Sequence, residues 1–129
     1  MNKASHTNCL FCNMSEGRVI AENGLAYAVR DGFPVTELHT LVISRRHVPS
    51  YFDLDGSELE SCNDLLDRMQ REILKLDTTV TGFNIGVNVG KDAGQSIFHC
   101  HIHLIPRRTG DVKTARGGVR GIIPDKQTY

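Results

Sequence analysis

The spacing of hydrophobic residues along this chain changes period once, and the change separates strands from a single long helix. Arg18 to Glu22 and Leu25 to Arg30 are short apolar-rich runs on either side of Asn23-Gly24, a dipeptide whose tolerance of positive φ suits a two-residue hairpin turn. Asp31-Gly32-Phe33-Pro34 interrupts the pattern, the β-branched run Leu38 to Ser44 resumes it as a third strand, and Pro49 closes that segment. From Ser57 the period lengthens: Leu59, Cys62, Leu65, Leu66, Met69, Ile73 and Leu76 recur at helical spacing for about five turns. Ser57 and Glu60 have the spacing of a capping box and predict where the helix begins. Gly82 to Val89 then alternates Phe83, Ile85, Val87 and Val89 with Asn84, Gly86 and Asn88, and Ile97 to Ile105 alternates again, the period of half-buried strands. Five strands with one helix after the third predict an α+β fold: an antiparallel five-stranded sheet covered on one face by the helix.

Composition narrows the function more than the fold. At 129 residues, 40% hydrophobic and 23% charged, the chain has the make-up of one soluble domain and not of a disordered or fibrous chain. Fifteen basic residues against fifteen acidic ones give a net charge of zero, so no global field attracts a polyanion, and no basic cluster is longer than a pair such as Arg107-Arg108. A nucleic-acid polymer is therefore not an expected partner. No apolar run approaches the roughly 20 residues of a membrane span, and the first residues, MNKASHTNC, lack the apolar stretch of a signal peptide; the expectation is a cytoplasmic protein without a membrane partner. The expected organisation is a single domain over 1–129, with a mobile N-terminus at 1–8 that carries a solvent-exposed His6, and a C-terminal tail at 109–129.

Four cysteines lie at 9, 12, 62 and 100. In a reducing compartment Cys9-x-x-Cys12 reads as a metal-binding or a redox-active pair. No strand precedes it, as one would in a thioredoxin-like unit, which weighs against the redox reading. Cys62 and Cys100 read as buried apolar fillers.

The densest chemistry is His99-Cys100-His101-Ile102-His103. On a strand these imidazoles face one way, about 7 Å apart, with Phe98, Cys100, Ile102 and Leu104 turned to the core. Two chemistries fit: chelation of a catalytic zinc with water in the open position, or a nucleophilic central imidazole positioned by its neighbours. Gly90-Lys91-Asp92-Ala93-Gly94-Gln95-Ser96 is either an ordinary hairpin turn or an anion-binding nest of backbone amides with the Gln95 amide and Ser96 hydroxyl. Next to three histidines it favours a phosphate site.

Asn88, Gly94-Gln95-Ser96 and His99-x-His101-x-His103-Leu104-Ile105 resemble the active-site region of the histidine triad family of nucleotide hydrolases and transferases. The likeness extends over about residues 9 to 108 and includes Asp31, His39 and the stretch Leu41 to His47. It implies a histidine-triad-like sheet with one long helix and short helical segments. It also implies a nucleophilic His101 acting on the α-phosphate, with Asn88, Gly94, Gln95 and Ser96 around the phosphate, His103 and His39 in support, and Asp31 on the ribose. In members with an N-terminal CxxC, a structural zinc is completed by two histidines; here the resemblance implies Cys9, Cys12, His47 and His99. It further implies a homodimer, and the broad apolar face Leu59 to Leu76 is more than one small sheet obviously covers.

The family pattern is mixed. The CxxC resembles the zinc-bearing prokaryotic branch, Leu104-Ile105-Pro106-Arg107 is similar to the branch that cleaves dinucleoside polyphosphates, and the Leu-Gly-Gly that follows the triad in nucleoside phosphoramidases is absent. Arg116 and Arg120 in the tail are candidates for a distal phosphate. Uridylyltransferase relatives need a far longer chain, and aprataxin-like members need a further zinc finger. The leading expectation is a hydrolase that cleaves a dinucleoside polyphosphate or nucleoside phosphoramidate at the α-phosphate through a nucleotidyl-histidine. The alternatives are a non-catalytic zinc- and nucleotide-binding module and a hydrolase with metal on the triad.

Overall fold

The computed structural model describes residues 8–129. Five strands, β1 (Val19–Glu22), β2 (Ala26–Arg30), β3 (Thr40–Ser44), β4 (Val80–Gly86) and β5 (His101–Arg108), form one sheet in the order β1-β2-β3-β5-β4, with every neighbouring pair antiparallel. A 21-residue helix, α1 (Gly56–Leu76), connects β3 to β4. The α+β reading holds. The expected mobility of residues 1–8 and the exposure of His6 concern a segment of which 1–7 lie outside the described residues.

Period-2 alternation explains the two faces of the sheet. Ala28, Val42, Ile102 and Leu104 pack against Cys62, Leu65, Met69 and Ile73 of α1, while Tyr27, Val29, Leu41 and Ile43 gather on the opposite face around Phe11. β2 and β3 are buried on both faces, so they read as continuous apolar runs. The hairpin lies where predicted, but its connection is three residues, 23–25, and neither Asn23 nor Gly24 takes a positive φ; instead Asn23 Oδ1 accepts from the amides of Leu25 and Ala26, an Asx-type closure.

The helix begins earlier than its periodicity predicts. Its cap is Asp55, not Ser57: the Asp55 carboxylate accepts from Glu58 N and the Glu58 carboxylate accepts from Asp55 N. Asp55 and Glu58 have the same spacing as Ser57 and Glu60, and Glu58 is further held by Arg46, whose Nη2 and Nε donate to it at 2.7 and 3.0 Å. Arg46 lies outside the helix, so local sequence does not distinguish the two boxes. The apolar face of α1 is largely covered: Leu59 and Leu66 are half-buried against the core, and Leu76 alone of the predicted stripe is clearly exposed.

Two strand boundaries also move. The predicted strand Gly82 to Val89 runs from Val80 to Gly86, leaving Val87, Asn88 and Val89 in a loop, and β5 starts at His101 instead of Ile97. Phe98, expected in the core, is 49% exposed. The tail is folded back by 3-10 turns at Gly118–Ile122 and Pro124–Lys126. The Gln127 amide donates to the carbonyls of Thr114 and Arg116, and Arg116 and Arg120 lie over the Tyr129 ring. A Cβ at Gly117 would meet the Gln127 carbonyl oxygen at 1.8 Å, so only glycine permits this fold-back.

Candidate active site and metal cluster

The three histidines, expected on one face of a strand, separate into two clusters. His101 and His103 stand on β5, opposite Ile43 and Leu41 of β3, with ring centroids 5.3 Å apart. His99 precedes the strand, is fully buried, and faces Cys9, Cys12 and His47.

Each imidazole is held in one tautomer by a backbone group. His101 Nδ1 lies 2.8 Å from the His99 carbonyl, so Nδ1 carries the proton and Nε2 keeps its lone pair. His39 Nδ1 accepts from Val35 N at 3.0 Å, which puts the His39 proton on Nε2, where it donates to His103 Nδ1 at 3.0 Å. His103 is thereby left with its own proton on Nε2. Burial, with His101 and His39 beside it, pushes the His103 pKa down to about 4, and burial also lowers that of His39; both rings are neutral donors at pH 7. His39 reaches this position through a turn in which Leu38 adopts a positive φ of 72°, closed by His39 N donating to Thr36 O.

Asp31 ends the β2 side of this relay. Its Oδ1 accepts from Phe33 N at 2.8 Å, and its Oδ2 lies 3.5 Å from His39 Nε2. Asp31, His39 and His103 place three possible ligand atoms within 4.8 Å of one another. A metal on His39 Nε2 would require an imidazolate, because Val35 N–H already occupies Nδ1; hydrogen bonding fits this group, and a metal does not. The triad itself does not converge, since His99 turns to Cys9, Cys12 and His47.

These residues open on a cavity of about 910 Å³ whose wall includes Asp31, His39, Asn88, Ser96, His101 and His103, a volume within the range of small-molecule sites. Gly94 and Gln95, expected around the phosphate, are not in that wall. Gln95 Oε1 accepts from Gly90 N, and both Nε2 protons are spent on the carbonyls of Pro49 and Ile97. Gln95 therefore staples the loop to the segment after β3, and Gly94, at φ 92°, supplies a left-handed turn. Arg116 and Arg120 likewise stack on Tyr129 and are absent from the wall.

Among the wall residues that sequence reasoning did not place at the site are Phe11, Arg18 and Arg107. Arg107 continues the 101, 103, 105 alternation and was legible from it. Its Nη1 donates to Asn84 and its Nε and Nη2 donate to Asp111 at 2.8 Å each. Arg18, pinned by donation to the Arg30 carbonyl, and Phe11 carry no such signal.

The second cluster has metal-ligand geometry. His47 Nδ1 and His99 Nδ1 are 3.2 Å apart, Cys12 Sγ is 3.1 Å from His47 Nδ1, and Cys9 Sγ and Cys12 Sγ each lie 3.5 Å from His99 Nδ1. Zinc bond lengths give a tetrahedron with N–N edges of about 3.3 Å and N–S edges of about 3.5 Å. His99 Nε2 lies 2.5 Å from the Ser44 carbonyl, so its proton is there and Nδ1 turns its lone pair to the cluster. Two thiols and two so-oriented imidazoles fit a closed structural site.

Known proteins resemble this chain in sequence and fold. A zinc-bound histidine triad family protein from Mycobacterium smegmatis is 31% identical, with a TM-score of 0.75 over 84% of this chain and 81% of its own. A Plasmodium falciparum diadenosine triphosphate hydrolase is 30% identical, with a TM-score of 0.72 over 78% of this chain and 68% of its own. The Candida albicans adenosine 5′-monophosphoramidase is 30% identical over 113 residues, 81% of this chain and 74% of that one. The HIT domain pattern matches residues 13–110, which span β1 to β5 and the whole histidine relay, and on that match the chain belongs to the histidine triad (HIT) family.

Proposed function

We propose that this single-domain HIT protein hydrolyses an adenosine phosphate, a dinucleoside polyphosphate or a nucleoside phosphoramidate, at its α-phosphorus through a nucleotidyl-His101 intermediate. That it is a HIT-family enzyme follows from its membership; the finer reading rests on one observation, the Nε2 lone pair of His101, left bare by the His99 carbonyl and set in the wall of the cavity. In the first step His101 Nε2 bonds to the α-phosphorus as the bond to the leaving group breaks, and the leaving group takes a proton from solvent as it departs. In the second, water attacks the same phosphorus, the P–N bond breaks, and nucleoside monophosphate leaves while the water protons pass to solvent. His103, neutral with Nε2–H, offers a donor to the phosphate without bringing a charge, and Asn88 and Ser96 line the same wall. Incubation with diadenosine polyphosphates and with adenosine phosphoramidate, followed by product analysis in ¹⁸O-water, reads the reaction. AMP carrying one ¹⁸O is expected, and label found only in the leaving group would overturn attack at the α-phosphorus.

Asp31 is assigned to the ribose. Its Oδ1 is engaged by Phe33 N, so the hydroxyls meet chiefly Oδ2. Asp31→Ala is expected to weaken ribonucleotide binding by about 1.5 to 3 kcal/mol, tenfold or more, and to leave 2′,3′-dideoxynucleotide binding nearly unchanged. Equal losses for both ligands in calorimetric titration would refute the assignment.

The Cys9, Cys12, His47 and His99 cluster is assigned to one structural zinc, which would fasten the 9–12 turn to the segments around β3 and β5. The protein is placed in the cytoplasm and read as a homodimer on its family likeness, since the covered face of α1 supplies no surplus apolar surface. Sedimentation velocity across a concentration series tests the dimer; a monomer throughout removes it.

A further inference from the structure

Phe11 sits between the two cysteines of the metal cluster, and nothing in the catalytic reading uses it. Its side chain is buried, 5% exposed. The ring meets the His101 imidazole edge-on with centroids 4.9 Å apart and reaches His99 at 6.0 Å, within the range of favourable aromatic pairs. Residues 8–13 contain neither helix nor strand. The ring is located instead by Cys9 and Cys12 on either side, by the Tyr27 hydroxyl donating to the Phe11 carbonyl, and by the Asn13 amide on the Cys9 carbonyl.

We propose that Phe11 is a positioning residue for His101, and that the metal cluster acts on the active site through it. The proposal rests on His101 being the nucleophile. A single hydrogen bond, from Nδ1 to the His99 carbonyl, fixes one edge of the imidazole. The terminal torsion of a histidine is broad, and water at that edge competes for the Nδ1 proton. Phe11 packs against the ring and, with His101 only 9% exposed, keeps water from the Nδ1 edge. Nε2 then stays turned toward the cavity. Ligation of Cys9 and Cys12 fixes where the Phe11 ring stands, so metal occupancy and nucleophile orientation are linked by a side chain that is not itself a metal ligand.

The test compares metal-loaded Phe11→Ala and Phe11→Leu with the wild type in metal content per chain, in kcat and KM, and in the ¹⁵N shifts of the His101 imidazole, which report the protonated nitrogen. Phe11→Ala is expected to lower kcat roughly tenfold and to move His101 from a single Nδ1–H tautomer to an exchanging mixture; any change in KM is read separately, as the loss of a cavity-wall contact. Phe11→Leu, which keeps most of the volume, is expected to fall between the two, and it carries the test if the alanine variant loses metal. Chelating the wild type should give the same His101 signature, and chelating Phe11→Leu should add less than it does in the wild type, because both act along one path. A loaded variant with an unchanged tautomer and kcat overturns the proposal, as do chelation and substitution effects that multiply independently. Should His101 prove not to be the nucleophile, kcat no longer bears on Phe11 and the imidazole shifts alone decide, so the two failures are told apart.

Discussion

Replacing His101 with alanine is expected to reduce turnover by at least about a thousandfold while nucleoside monophosphate affinity changes by less than about tenfold. The asymmetry follows from what the side chain does. In the ground state it is one neutral imidazole in a cavity that also has Asp31, Asn88 and Ser96 in its wall. In the transition state it is the atom that forms the new bond, and no other group in the relay can substitute: His103 Nδ1 is engaged by His39, and its Nε2 carries a proton. Pre-steady-state quenching provides a second readout. A nucleotidyl-histidine is a phosphoramidate, labile in acid and stable in base, so substrate labelled at the α-phosphate should label the wild-type chain under basic quench and leave His101→Ala unlabelled. A variant that retains more than about one per cent of the wild-type rate, or that still takes up label, would show the nucleophile to be another group.

Cys9→Ser or Cys12→Ser should release the metal and lower the melting temperature by about 10 °C, with a smaller effect on the rate per folded molecule than His101→Ala. Free ligand at several hundred times its dissociation constant stabilises a fold by roughly 3 kcal/mol, which for a domain of this size corresponds to about that shift. The site joins three segments distant in sequence, at 9–12, 47 and 99, and the first has no strand or helix of its own to hold it. Without metal, two thiols and two imidazoles crowd one another within 4.8 Å with no shared cation. Elemental analysis and scanning calorimetry of gently purified protein check this. Zinc-free wild-type protein, or a serine variant with unchanged metal content and melting temperature, would remove the site.

Much of this was legible from residue order, because alternation and helical spacing are local properties. The strand pair on either side of Asn23-Gly24, the one long helix and the common face of His101 and His103 follow from period alone. What failed depended on partners far along the chain. The helix cap moved from Ser57 to Asp55 because Arg46 holds Glu58. β5 lost its first residues because His99 turns to Cys9, Cys12 and His47. Gln95 reads as a phosphate donor until the carbonyls of Pro49 and Ile97 claim its amide.

The sequence by itself determined the chemical inventory: neutral imidazoles at period two on a strand, a pair of thiols at metal spacing, a carboxylate at a turn, and no surplus charge. Tertiary structure decided which histidine does what. A neutral imidazole has two tautomers nearly equal in energy, and the choice falls to whichever backbone group meets each nitrogen. Here those groups are the Ser44 carbonyl for His99, 55 residues away, the His99 carbonyl for His101, and the Val35 amide for His39. One carbonyl turns the His99 Nδ1 toward Cys9, Cys12 and His47 and another holds His101 Nδ1, a division that three identical side chains do not encode until the sheet and its loops have brought those partners into place.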